Sequence, residues 1–177
     1  HEFDNSREVL AKQQQWAGFP FLSANIRSAE THKRLFTPTL VLKRDDLKIG
    51  IIGLTTDDTP INVMPKNAEG LLFTSPMEEA IDEVPKLRKQ SDLVIAVTHM
   101  GHYSNGQHGT NAAGDVTLAR KVNGIDIIVG GHTQKPLFEP DVITRSNGEK
   151  TLILQAYEWG KYVGRMDIEF YNGKIKV

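Results

Sequence analysis

Residues 93–102 read Leu-Val-Ile-Ala-Val-Thr-His-Met-Gly-His, and this stretch decides the fold. Its first six residues form a short, almost wholly apolar run, which is typical of a parallel strand buried on both faces. The run ends in a histidine and a glycine-containing turn. Because such strands occur in sheets covered by helices, the stretch predicts an α/β protein with His99 at the carboxyl end of a strand.

A second stretch has the same arrangement. Ile125–Val129 is another apolar run, and Gly130, Gly131 and His132 follow it. In open α/β sheets ligands bind outside the carboxyl ends of the strands, so neighbouring strands would bring His99 and His132 together. If they share a metal or a close metal pair, their imidazoles must lie within about 8 Å.

The residue types suit a metal. Imidazole is the commonest metal ligand near neutral pH, and glycine lets the backbone turn sharply where a metal approaches. An amide or carbonyl oxygen of Gln134 could complete a site for Mn, Zn or Mg. Hydrogen-bonded loop histidines would produce the same pattern, and the pattern alone leaves both interpretations open.

The rest of the chain predicts helices and strands around these two. Helices are expected at Arg7–Trp16, Met77–Gln90 and Val116–Val122. Strands are expected at Phe19–Ile26, Leu35–Lys43, Lys48–Leu54, Thr151–Ala156, Gly164–Tyr171 and Lys174–Val177. Turns at Asp45–Asp46 and Asn172–Gly173 indicate two hairpins. Pro85 should kink or divide the second helix, and Asp115 should cap the third. Thr55–Thr74 has no period and reads as a long loop.

Composition excludes several classes of protein. The chain has 177 residues, 39% of them hydrophobic and 24% charged, which is typical of one globular domain, so residues 1–177 are expected to form a single unit. The net charge of -1 gives no electrostatic case for nucleic acid or an anionic membrane. No apolar run is long enough to span a bilayer. The absence of cysteine excludes disulfides, thiolate zinc sites and cysteine nucleophiles.

Three other histidines are weaker candidates for a metal or substrate role. His102 and His108 lie in a polar, Gly- and Asn-rich segment that we expect to be solvated, so a metal or substrate role is the weaker interpretation for each. His32 stands among Thr31, Lys33 and Arg34 and is expected on the surface.

Six stretches carry a resemblance to a known family. They are His1–Asp4, Phe21–Asn25, Ile52–Thr56, Thr98–Tyr103, Gly130–Gln134 and Gln155–Gly164. In combination they resemble the periplasmic 5'-nucleotidases and UDP-sugar hydrolases, within the calcineurin-like metallophosphoesterases. The resemblance runs the whole length of the chain and implies a mixed-sheet sandwich of four layers, covered by helices. It also implies a periplasmic or extracellular location.

The resemblance implies a role for five residues. His99 and His132 correspond to metal ligands, and Gln134 to a ligand of the other metal. His1 corresponds to the family's catalytic histidine, and Asp4 to the acidic residue that orients it. The implied cofactors are two divalent ions of Zn, Mn or Co, and the implied substrate is a nucleotide or nucleotide-sugar. A frayed terminus and a helix cap would otherwise explain His1 and Asp4.

The sequence contains only part of the family pattern. The family's early Asp-x-His ligands and bridging Asp would precede His1, so we expect an incomplete N-terminal half, with this chain as the second half of the catalytic domain. The family's C-terminal substrate domain is also expected in the parent protein. Because close divalent cations require anionic ligands, the chain alone is expected to be inactive. The alternative hypotheses are a non-catalytic nucleotide- or metal-binding module and a structural half-domain.

Overall fold

The computed structural model describes residues 1–105, 113–171 and 174–176. The helices of these segments are α1 Arg7–Trp16, α2 Thr59–Asn62, α3 Pro65–Ala68, α4 Pro76–Arg88 and α5 Asp115–Lys121. Their strands are β1 Ile26–Ser28, β2 Thr39–Arg44, β3 Leu47–Thr55, β4 Leu71–Phe73, β5 Leu93–His99, β6 Ile127–Gly130, β7 Asp141–Thr144, β8 Lys150–Gln155, β9 Glu169–Tyr171 and β10 Lys174–Lys176. Within these segments no helix combines the length and the apolar character that crossing a membrane requires.

One mixed sheet of six strands organises the molecule, in the order β2-β3-β5-β6-β8-β7. The four central strands are parallel, and the two edge strands run antiparallel to their neighbours. The parallel register sets Thr55 beside His99 and Val97 beside Val129. This arrangement confirms the predicted α/β fold with a mixed sheet and helices.

Both predicted hairpins are present. In the first, β2 pairs with β3, and Asp45 in the intervening turn has a φ of 51°. Aspartate is one of the few residues that adopt this left-handed conformation routinely, which explains the tight connection. In the second, β9 pairs with β10. Its turn residues Asn172 and Gly173 lie outside the described residues.

Helix α4 begins at a capped end and continues past its internal proline. The Ser75 hydroxyl accepts a hydrogen bond from the Glu78 amide, and Pro76 occupies the first turn. Pro85 was predicted to kink or divide this helix; the division is wrong, since the helix is continuous from Pro76 to Arg88, and the kink stays a prediction. Proline leaves a carbonyl one turn earlier without its amide partner, but Ile81 and Pro85 lie on the exposed side, where water can serve that carbonyl.

Helices α4 and α5 cover one face of the sheet, which we call the covered face. Its strand residues are fully buried and pack against Ala80, Val84 and Leu87 of α4 and Val116 and Leu118 of α5. They are Ile52, Val94, Ala96, Ile128 and Ile153. The opposite face, the open face, carries Ile51, Ile95, Val97 and Val129. The prediction that the apolar strands are buried on both faces is wrong for Val97 and Val129, which are 47% and 43% exposed.

The segment between β3 and α4 differs most from the prediction. Instead of a plain loop it contains α2, α3 and β4, and β4 pairs with β1. The buried side chain of Asn25 organises it by binding the backbone of Thr55 on one side and the Thr74 carbonyl on the other, at 2.7–2.9 Å. The strand expected at Phe19–Ile26 is therefore reduced to β1, which begins where that expectation ended.

Candidate active site

The carboxyl ends of β5 and β6 bring His99 and His132 together. Their ring centroids lie 5.1 Å apart, with the ring planes inclined at 67°. This agrees with the expected proximity of two imidazoles at adjacent strand ends. Gly131 lies directly beside His99, because a Cβ at that position would stand 3.4 Å from Nδ1 of His99. Whether these residues bind metal stays a prediction at this point.

His1 adds a third imidazole to the row. Its ring centroid lies 5.1 Å from that of His99, edge to face at 84°. The His1 Nδ1 atom lies 2.6 Å from Oδ2 of Asp4, and the Asp4 amide donates to the His1 carbonyl at 3.0 Å. The carboxylate thus engages one ring nitrogen, which leaves Nε2 as the atom that could meet a substrate. Both side chains are largely exposed.

Electrostatics keep His99 neutral at physiological pH. Burial lowers the pKa of His99 to about 4, and the nearby charge of His132 acts in the same direction. A neutral imidazole has the lone pair that a metal ion requires. His99 therefore suits coordination better than proton transfer.

The turn after β6 has an unusual backbone. His132 has a φ of 77° and Gln134 a φ of 50°, both in the left-handed region that residues with a Cβ seldom adopt. Thr133 stands between them, and its amide donates to the Gly131 carbonyl at 3.0 Å. Gln134 lies in this turn, two residues past His132, and is exposed to solvent.

His102 is buried, so the expectation of a solvated side chain is wrong. Its Nε2 lies 2.8 Å from Oδ2 of Asp141 in β7. Its backbone amide donates to Thr133 Oγ1 at 3.3 Å. His102 thus supports the turn that contains His132. His108 lies outside the described residues. His32 is exposed, as expected.

Asp115 was predicted as a helix cap and has a different position. It is the first residue of α5, fully buried, and its Oδ1 accepts the Thr98 hydroxyl at 2.6 Å. Its Oδ2 fills the space that a side chain at Gly130 would occupy. Burial raises the pKa of Asp115 to about 7, against the effect of the Thr98 hydrogen bond. Asp115 therefore touches the strand ends that precede both His99 and His132.

The donor set fits part of a metal site. Two imidazoles and an amide are suitable neutral ligands for one divalent cation of the Zn or Mn type. Within residues 1–105, 113–171 and 174–176, however, no three or more His, Asp or Glu side chains are grouped so as to hold a metal ion. Two close cations would need anionic ligands beyond these neutral groups.

A cavity of about 870 Å³ lies against the open face and reaches the imidazole row. Apolar side chains line most of it, from the β2–β3 hairpin and from the segment before β1. His1, Val97 and His99 line the end at the site. A pocket with a mainly apolar wall and a few polar groups at one end is the usual form of a ligand site.

Comparisons with known proteins show which family this chain resembles over its whole length. The family model of the calcineurin-like phosphoesterases matches residues 1–136. A 5'-nucleotidase of Vibrio cholerae is 49% identical and Protein UshA of Escherichia coli 46% identical, each over 100% of this chain and 35% of the relative. The crystal structure of a 5'-nucleotidase precursor from Thermus thermophilus superposes with a TM-score of 0.81 at 32% identity, covering 100% of this chain and 36% of that one. The chain thus spans about a third of the length of these relatives.

Proposed function

Because this chain belongs to the calcineurin-like phosphoesterase family, we propose that it forms part of the catalytic domain of a metal-dependent phosphoester hydrolase that acts on nucleotides. The observation that carries the proposal is a row of three imidazoles, in which His99 and His132 lie at the carboxyl ends of parallel strands and His1 packs against His99. The relatives named 5'-nucleotidase support the nucleotide as substrate, since they match the chain over its whole length. Nucleotide-sugars and a periplasmic or extracellular location belong to the same proposal.

The proposed metal ligands are His99, His132 and Gln134. Family members are generally dependent on divalent metals, and a bound cation polarises phosphoryl oxygens and activates water. The contribution of these residues is to supply neutral donors from two adjacent strand ends. We propose two cations of Zn, Mn or Co in the complete site, with the anionic ligands provided from outside this chain.

His1 is the proposed catalytic residue. The contact with Asp4 fixes the ring and keeps a proton on Nδ1, so that Nε2 carries a transferable proton when the ring is protonated. From there His1 can donate to the oxygen on which negative charge develops as the phosphoester bond breaks. Asp4 orients the ring and stabilises its protonated form. With neutral ligands alone, the 177-residue chain should bind metal weakly and hydrolyse little by itself.

Equilibrium dialysis with Mn²⁺, on a longer protein that includes this chain and the anionic ligands, tests the ligand assignment. His99→Ala and His132→Ala should each weaken binding at least about tenfold, since each removes a direct ligand. His32→Ala is the matched control, because it removes an exposed histidine elsewhere and should change nothing. Equal Mn²⁺ binding by all three variants would contradict a metal site at the strand ends.

Turnover tests the chemistry. A longer protein that includes this chain and the anionic ligands should hydrolyse nucleoside monophosphates with added Mn²⁺ and lose most activity in EDTA. His1→Ala should lower kcat with little change in metal affinity, whereas His99→Ala should lower both. Full activity in the chelator would reject a metal mechanism.

A non-catalytic nucleotide- or metal-binding module is the second candidate. The observation that favours it is the neutral character of the donors at His99, His132 and Gln134. A longer protein that binds Mn²⁺ and nucleotide but leaves the nucleotide intact would support this alternative over the hydrolase.

A further inference from the structure

We propose that Thr133 and Gln155 are positioning residues that hold His132 and Gln134 in a ligand-ready backbone conformation before any metal binds. The inference rests on the proposed function, because it takes His132 and Gln134 as ligands. Neither Thr133 nor Gln155 is assigned to bind metal or substrate. Their role is to fix the turn from which both ligands project.

The starting observation is the backbone of the turn. His132 and Gln134 both have positive φ, at 77° and 50°, and the residue between them is Thr133. Left-handed conformations are disfavoured when the residue carries a Cβ, so two of them within three residues persist only if the surroundings enforce them. A free loop of this sequence would relax to other conformations.

The Thr133 hydroxyl is where the turn is attached to the body of the protein. Its Oγ1 lies 3.0 Å from Nε2 and 3.1 Å from Oε1 of Gln155, and it also accepts the His102 amide at 3.3 Å. The Gln155 Nε2 donates in addition to the Lys135 carbonyl at 2.8 Å. Gln155 therefore forms hydrogen bonds to the turn at two places, at Thr133 and at Lys135, which directly follows Gln134.

The groups that bind the Thr133 hydroxyl are themselves held in place. Gln155 is the last residue of β8, 3% exposed, and is aligned with Gly130 at the end of β6. His102 is buried and paired with Asp141 of the edge strand β7. A buried polar network whose members are mutually satisfied has few alternative arrangements. The turn is thus attached to buried groups on β8 and in the loop after β5.

The consequence is metal affinity gained through preorganisation. Groups behind the ligands orient them, and removing such a group typically weakens metal binding 10–100-fold. Thr133→Val keeps the shape of the side chain but removes the hydroxyl, so it should weaken Co²⁺ binding about tenfold. Thr133→Ser restores a hydroxyl and should stay within about threefold of the wild type.

The experiment uses a longer protein that includes this chain and the anionic ligands, and it compares these two variants with a control on the same strand as Gln155. Thr151, the second residue of β8, is a fully buried threonine whose hydroxyl accepts from Arg145 Nη1 at 2.8 Å and donates to the Ile125 carbonyl at 2.7 Å. Thr151→Val should lower stability without changing the Co²⁺ dissociation constant or the visible d–d spectrum. Thr133→Val should change both, and Thr133→Ser should recover them.

A second readout needs no metal. A residue with positive φ gives a strong intraresidue HN–Hα NOE, and His132 and Gln134 should show it in the metal-free wild type and in Thr133→Ser. In Thr133→Val these NOEs should weaken. Should Thr133→Val not fold, Gln155→Met, which keeps the length of the side chain without its hydrogen bonds, takes its place in both measurements.

The outcomes separate this inference from the proposed function. If the wild type binds no Co²⁺ but the NOEs respond as expected, the ligand assignment fails while Thr133 and Gln155 still fix the turn. If Thr133→Val or Gln155→Met keeps both the NOEs and the wild-type Co²⁺ affinity, the positioning role is overturned. The same holds if Thr151→Val weakens Co²⁺ binding as much as Thr133→Val does.

Discussion

The two faces of the central sheet are built by the same strands from the same kinds of residue, yet near the carboxyl ends of β5 and β6 only one of them is closely packed. On the covered face Val94 is fully buried, and a Cβ at Gly50 would overlap Leu87 of α4. On the open face, three residues along the same strand, Val97 is 47% exposed beside the cavity. The apolar pattern thus indicates which residues favour burial, but it does not indicate what covers them.

The largest expected difference involves the carboxyl group buried beside the covered face. The pKa of Asp115 rises from 3.8 to about 7 on folding because the side chain is buried. Between these values the folded state keeps a proton that the unfolded chain has lost. The free energy of unfolding should therefore fall as pH rises from about 4 to about 7, by up to about 1.4 kcal/mol per pH unit, on the order of 4 kcal/mol in all.

Urea denaturation at several pH values, for the wild type and Asp115→Asn, measures this contribution. Asparagine has no charge to bury, so the variant should lack the decline, and the difference between the two curves should grow up to about pH 7 and then level off. Other titrating groups affect both proteins equally and cancel in the difference. Parallel curves would show that folding does not raise the pKa of Asp115.

The next effect compares equivalent truncations on the two faces. Val94→Ala removes two methyl groups from a closed core and should lower the free energy of unfolding by about 2–3 kcal/mol. Val97→Ala removes the same groups from a half-exposed position and should cost less than about 1 kcal/mol. Chemical denaturation measures both. Equal losses would mean that the open face is covered in solution.

A smaller effect tests how closely the covered face is packed near the site. In Gly130→Ala the new methyl group would stand 2.2 Å from Oδ2 of Asp115, so the carboxyl group must move, at a cost of about 1–2 kcal/mol. Gly18→Ala is the control, since no atom lies within 4 Å of its added methyl group. Thermal denaturation should show a lower Tm for Gly130→Ala and no decrease in Tm for Gly18→Ala. If both have the wild-type Tm, the contact between Asp115 and Gly130 is looser than described.

The smallest effect is expected where the open face is most accessible. Val129→Thr places a hydroxyl where water can reach it, and the free energy of unfolding should change by no more than about 0.5 kcal/mol. Val116→Thr, which places the same hydroxyl in the core against the covered face, should cost clearly more because its hydrogen bonds to water are lost. Chemical denaturation of the two variants side by side measures this difference. Equal losses would mean that Val129 is buried in solution.

The sequence predicted the central strands well because their signal is local. Continuous apolar runs bounded by turn residues correspond to β3, β5, β6 and β8. The prediction missed β4 and placed the strand that contains the start of β1 too early, although β1 and β4 pair with each other. They depend on partners distant in sequence, as Asn25 shows by joining Thr55 and Thr74. No pattern within such a segment records a hydrogen bond made that far along the chain.

The same division applies to the site. The proximity of His99 and His132 follows from the rule for strand ends, which sequence can apply. The position of the Asp115 side chain could not be predicted in this way. Its carboxyl group could either cap its own helix or turn toward Thr98, and tertiary packing determines which of the two occurs. Gln155 could have been identified as a candidate site residue from the sequence, since it is a polar residue at the end of a strand that is otherwise mostly apolar. Its partner Thr133 could only be identified from the fold.

The strand order also has a consequence for how the chain acquires its structure. The β2–β3 hairpin joins segments adjacent in sequence, whereas the pairing of β3 with β5 must wait for everything from α2 to α4 to be brought into place. Contacts between distant segments form slowly because the entropy of closing the intervening loop is lost first. We therefore expect the hairpin to gain hydrogen-exchange protection early in refolding and the β5–β6–β8 segment late. Pulse-labelling that showed simultaneous protection of all strands would contradict this order.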